Sequence, residues 1–150
     1  MSLTSLLADQ RRHLEALDAF LEEERGLLNA GEIDGKRLGV IAEEKQTLLT
    51  TLDGIEASRR AQQRDAGFGE GSQGAERFAE AIDAGESWQR IRELAEHVRQ
   101  TNRLNGHIIS QRLEQNQQAI DFLQRAVGGS TYGPKGKSLR QGFGGISSSA

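Results

Sequence analysis

The chain has three imidazoles, His13, His97 and His107. None stands three or four residues from another, and no Glu-x-x-His pair occurs, the spacing that a di-metal site inside a helical bundle requires. Phosphotransfer needs only one exposed histidine, but Arg12-His13-Leu14 and Gly106-His107-Ile108 lack the lysine and glycine that usually follow such a residue. All three read as solvent-exposed helix histidines. Gly69-Glu70-Gly71-Ser72-Gln73-Gly74 spells G-x-G-x-x-G. A dinucleotide fingerprint needs a strand before it and a helix after it; here a helix precedes it, and the run reads as a flexible loop. Gly136-Lys137-Ser138 has the end of a phosphate-binding loop, but Thr131 stands where the motif's first glycine belongs. Zero cysteines exclude disulfides, thiolate zinc sites and thiol nucleophiles together. Serine, aspartate and histidine fall in no recognisable order. The expectation is a protein that is not an enzyme, with no catalytic residues, cofactor or metal.

What remains is the elements themselves. The 150 residues suffice for one domain, or one domain and a tail. Acidic residues number 22 against 19 basic ones, a net charge of −3, so no strong basic field exists to hold nucleic acid. One proline and 5% aromatic residues argue against a sandwich or barrel. No apolar run reaches the length of a membrane span, and the N-terminus lacks a charged stretch followed by an apolar one. A cytoplasmic protein without membrane insertion is expected.

Apolar periodicity is helical throughout. Leu7, Leu14, Leu21 and Leu28 recur every seventh position, widened by Leu6, Leu17, Phe20 and Leu27 into the buried face of a helix over about 4–30. Gly31 offers a stop. Asp34 is the next N-cap, with Ile33 and Leu38 spaced as a hydrophobic staple. Leu38, Ile41, Lys45, Leu48, Leu52 and Ile55 then form a heptad seam over 34–65, interrupted only by Lys45. The short connection makes the two helices an antiparallel hairpin and sets Lys45 near Glu24 at the edge of the seam. Four glycines between Gly67 and Gly74 end the second helix. A short helix over 75–83 carries Phe78 and Ile82. Asp83 and Glu86 have capping-box spacing ahead of a last helix over 86–127. That helix would span about 63 Å against about 39 Å for the first, so it bends or projects. The fold class expected is all-α: an elongated antiparallel three-helix coiled-coil-like bundle over 1–127, with a short extra helix.

Asn102, Asn105 and Asn116 stand in the last helix's apolar stripe. A buried asparagine fixes register at some cost in stability; the other reading is a groove where amides meet a partner's backbone. After Val127 come seven glycines and five serines in 23 residues, with Lys135, Lys137 and Arg140 and no acid. This tail over 128–150 is +3, leaving −6 on the body, and its composition predicts disorder in isolation. Leu139, Phe143 and Ile146 still fall at i, i+4 and i+7, one helical face if a partner imposes it. Tyr132, the only tyrosine, sits among glycines on this basic tether, where its ring either anchors an interface or folds back over the bundle's end.

In these features the chain resembles the FlgN-like flagellar type III export chaperones. The resemblance lies in the array Glu24, Leu28, Asp34, Leu38, Ile41, Lys45, Leu48 and Leu52. It continues in the paired asparagines of Asn102-Arg103-Leu104-Asn105-Gly106, and is most specific in Thr131-Tyr132-Gly133-Pro134-Lys135-Gly136. It implies a cytoplasmic chaperone that binds hook-associated proteins of the hook–filament junction, prevents their premature assembly and delivers them to the export apparatus. It also implies that client binding falls to the C-terminal region, mapping onto Ile120, Leu123 and Val127 of the last helix and Leu139, Phe143 and Ile146 of the tail. Docking on the cytoplasmic domain of the export gate would fall to Tyr132, with Gly133 and Gly136 of the Tyr-Gly-x-x-Gly motif. The tail's Gly142-Phe143-Gly144-Gly145 is poorer in helix formers than an amphipathic client-binding helix should be. The rival expectation is a structural coiled-coil scaffold or adaptor without a client.

Overall fold

A computed structural model describes residues 2–127, which form four helices and, among the described residues, no strand. The first, α1, runs Leu3–Leu28 and is capped by Ser2, whose hydroxyl accepts the Ser5 amide at 3.2 Å. Its seven-residue leucine repeat is buried along its whole length. The second, α2, runs Gly35–Asp65, with Asp34 accepting the Arg37 amide at 3.0 Å. A short α3 (Ser72–Ala81) and a long α4 (Gly85–Val127) follow.

Side-chain contacts fix the directions. Arg37 meets Glu23, Lys45 meets Glu24 and Gln10 meets Glu56, so α2 runs antiparallel to α1. Asn105 bonds Leu21 and Arg112 bonds Leu28, so α4 runs parallel to α1. The central helix is α1, packed along both α2 and α4, while α3 bridges α2 and α4 at the base. The apolar core joins Leu7, Leu14, Leu17 and Leu21 of α1 to Leu52 of α2 and Ile91, Leu94 and Val98 of α4.

Lys45 is not at the edge of the seam. Its side chain is 3% exposed and that of Glu24 2%, with Nζ 3.2 Å from both carboxylate oxygens. Asn105 completes the cluster, donating from Nδ2 to Glu24 Oε1 and to the Leu21 carbonyl, each at 2.9 Å. The geometry follows from the helix directions: α2 and α4 flank α1, and both polar interruptions reach the same level of it. A charge this deep needs a partner and further hydrogen bonds, and this one has both.

Nearer the base, Gln63 is fully buried and replaces the missing backbone pairing of the glycine-rich turn. Its amide donates to the carbonyls of Gly69 and Gly71, both at 3.0 Å, and its Oε1 accepts Arg59 Nη1 at 2.8 Å. Gly67 takes φ +89° just past α2, with the Phe68 amide reaching back to Gln63 O and Gly67 to Arg64 O, a Schellman closure. Arg59 lies over the Trp88 ring at 4.4 Å, a cation–π contact.

Two sequence expectations fail here. The short helix begins at Ser72, not near 75, and incorporates Gly74. A Cβ at Gly74 would lie 2.1 Å from the Phe68 carbonyl oxygen, so close packing of the turn overrides glycine's poor helix propensity. Asp83 is not an N-cap of α4. It takes φ +58°, and its amide bonds Glu80 O while that of Ala84 bonds Ala79 O. Asp83 therefore closes α3 in a second Schellman motif, and the first backbone bond of α4 runs from Trp88 to Ala84.

Candidate functional site

The free end of α4 follows from register. Arg112 Nη2 donates to the carbonyls of Leu28 and Ala30 at 2.9 and 2.8 Å, capping the end of α1 and marking the top of the hairpin. From there α4 continues to Val127, about 22 Å at the usual helical rise. Its last buried residue is Ile109. The resolution of the length mismatch is projection.

The projecting turns are apolar over much of their circumference. Ile120, Phe122, Leu123 and Val127 are 38%, 64%, 59% and 80% exposed. At 100° per residue, Phe122, Ala126, Ala119, Leu123, Val127 and Ile120 cover an arc of about 160°. Acidic Asp121 lies outside it and is occupied by local bonds, from Gln117 at 3.0 Å and from Arg125 to its carbonyl at 3.4 Å. A contiguous apolar face without a packing partner within the described residues is the signature of an interaction surface. Covering each large side chain is worth about 1–2 kcal/mol at these exposures. The arc suits an amphipathic helix laid alongside.

Three residues expected to bind a client, Ile120, Leu123 and Val127, are thus brought together on this face. Leu139, Phe143 and Ile146, together with Tyr132, Gly133 and Gly136, lie outside the described residues, as does the tail expected to be disordered in isolation. Phe122 was missed by the sequence reading. It stands nearly opposite Ile120 around the helix and breaks the seven-residue stripe; the available signal was an aromatic residue placed where no core needed one.

The asparagines separate. Asn105 is a structural residue of the buried cluster, Asn102 is buried, and Asn116 is exposed on the projecting end. His107 is exposed, whereas His13 is half-buried, its Nδ1 2.7 Å from the Asp9 carbonyl oxygen. His97 is exposed beside Asp18 and Glu22 of α1. The G-x-G-x-x-G run spans a turn and the start of α3, with the Gly69 and Gly71 carbonyls accepting from Gln63, and it follows helix α2 where a dinucleotide fingerprint needs a strand.

Two carboxyl groups outside this face are perturbed. Burial raises the Glu56 carboxyl, but hydrogen bonds and charge from Arg59, a bond from Gln10 and the charge of Arg60 outweigh it and hold it below its usual value of 4.5. The Arg37 hydrogen bonds likewise lower Glu23. Both are structural ion pairs. No described helix is long and apolar enough to cross a membrane.

Comparison with known proteins gives a family model described as FlgN protein, matching residues 1–140. The flagella synthesis protein FlgN of Salmonella typhimurium is 34% identical over 136 residues, covering 91% of this chain and 89% of the relative. That of Yersinia enterocolitica is 34% identical over 134 residues, covering 89% and 87%. The Escherichia coli protein of the same name is 29% identical over 136 residues, covering 91% and 89%. No solved structure matches.

Proposed function

The chain belongs to the FlgN family, and from that premise we propose that it is a cytoplasmic, non-enzymatic export chaperone for hook-associated proteins of the hook–filament junction. It covers a helical segment of the client that would otherwise self-assemble, and delivers the client to the flagellar export apparatus. The observation that carries this reading is the uncovered apolar face of Ile120, Phe122, Leu123 and Val127 on the projecting end of α4. A client's amphipathic helix is an aggregation hazard before assembly, and such a face is a fitting cover for it.

In this proposal Leu139, Phe143 and Ile146 extend the client-binding surface, ordering on contact. Part of the interaction free energy then goes into that ordering, which keeps release feasible. Tyr132, with Gly133 and Gly136, docks on the cytoplasmic domain of the export gate. Client and gate sites are adjacent in sequence yet chemically distinct, one a broad apolar set of side chains, the other a single tyrosine among glycines and lysines.

Calorimetric titration with a purified hook–filament junction protein tests the reading, using the full chain and a chain ending at Val127. Saturable binding that weakens in the shortened chain supports a site shared between α4 and the tail. Equal affinity of the two moves the site wholly onto the bundle, and absence of binding by both favours the scaffold reading. Tyr132→Ala should reduce capture by the gate's cytoplasmic domain while leaving client affinity unchanged; equal loss of both would defeat the division of labour.

A further inference from the structure

We propose that Asp18, Glu22 and His97 form a binding site for a divalent first-row transition metal, with zinc the best match to the donor set. Asp18 and Glu22 stand one turn apart on α1, so their carboxylates leave the same face. His97 comes from α4, parallel to α1, and its Nε2 lies 3.2 Å from Asp18 Oδ1 and 3.8 Å from Glu22 Oε1. All three donor atoms lie within 4.8 Å of one another. Two ligands each about 2.0 Å from a tetrahedral ion are about 3.3 Å apart, close to the shorter of these separations.

A second observation concerns Asp18 itself. Its Oδ1 is buried and has no hydrogen-bond partner among the described residues, while the Asp18 side chain as a whole is 31% exposed and His97 Nε2 lies 3.2 Å from that oxygen. A buried carboxylate oxygen without a donor is costly, and a cation shared with the imidazole satisfies it. The scaffold is rigid at this level: Leu17 and Leu21 flank the carboxylates in the core, and Val98, next to His97, is buried with them. Imidazole plus two carboxylates favours zinc and its neighbours over calcium or magnesium, which take oxygen ligands almost exclusively. Water completes the coordination, since His97 and Glu22 are about half exposed. The sequence hid the site because 75 positions separate His97 from Glu22 and no local motif links them. A bound ion ties α1 to α4 and stabilises the folded chain by mass action.

The test is calorimetric titration of the full chain with zinc chloride near neutral pH in a non-coordinating buffer. The expected result is a single saturable site that His97→Ala and Asp18→Asn each weaken by about tenfold or more. His13→Ala and His107→Ala should leave it intact. Zinc should raise the thermal midpoint of the unaltered chain and not that of His97→Ala. Circular dichroism of each metal-free variant verifies folding, and Glu22→Gln, at an exposed position, supplies a third variant. No saturable zinc binding, unchanged affinity in His97→Ala, or loss that follows His13 or His107 would overturn the proposal. In the first two cases the three side chains are a polar contact between α1 and α4 and not a metal site.

Discussion

Replacing Lys45 by methionine keeps an unbranched apolar stem and removes the terminal ammonium of a side chain that is 3% exposed. The consequence falls on Glu24, whose carboxylate is 2% exposed and loses the two 3.2 Å contacts to Nζ. One strong bond remains, from Asn105 Nδ2 at 2.9 Å. An uncompensated buried charge after removal of one partner costs about 3–5 kcal/mol, and the remaining amide bond recovers about 1 kcal/mol of that, so Lys45→Met should destabilise by about 2–4 kcal/mol. Glu24→Gln alone should cost a similar amount by stranding the ammonium. The double variant Glu24→Gln/Lys45→Met removes both charges and should cost far less than the sum, because a buried ion pair repays little beyond its own desolvation. Urea unfolding followed by helical circular dichroism measures all three, with equal slopes indicating that the denatured state is unchanged. Losses that simply add, or a Lys45→Met cost below about 0.5 kcal/mol, would refute the claim that the seam is held by a desolvated pair.

Asp83→Gly should stabilise the chain by about 1 kcal/mol, read as a higher urea midpoint, because aspartate pays for a left-handed φ of +58° that glycine adopts freely. The lowered Glu56 carboxyl makes stability depend on pH with a definite sign. Above the usual carboxylate value of 4.5 its contribution is complete; as pH falls below that value the unfolded chain binds the proton first, and the contribution is lost. Glu56→Gln should therefore flatten the fall of the thermal midpoint as pH drops below 4.5, relative to the unaltered chain, measured by circular dichroism.

The leucine repeat of α1 was legible because it is local: residues seven apart share a face whatever the partner is. Lys45 was legible as an interruption, and Glu24 as its partner from the hairpin's fold-back. Their depth was not, since it depends on Asn105, which stands 81 residues from Glu24. Asp83 misled for a physical reason. Its spacing to Glu86 fits a capping box, but closing α3 claimed its backbone first, and one residue cannot be both left-handed C′ and extended N-cap. Gly74 misled in the opposite sense, since propensity marks glycine as a breaker while the approach of Phe68 demands it. At the candidate site, the stripe through Ile120, Leu123 and Val127 was readable from periodicity. Phe122 was not, because it lies about 160° around the helix from Ile120 and falls outside that 3-and-4 rhythm.

If the free end of α4 is a client surface, the Phe122→Ser/Leu123→Ser variant should lose affinity for a hook–filament junction protein in calorimetric titration. Both side chains are more than half exposed and touch no core, so the thermal midpoint should stay within about 1 °C of the unaltered chain. Covering them in a complex is worth about 2–4 kcal/mol together, so affinity should fall at least about thirtyfold. Unchanged affinity in a normally folded variant would contradict the account.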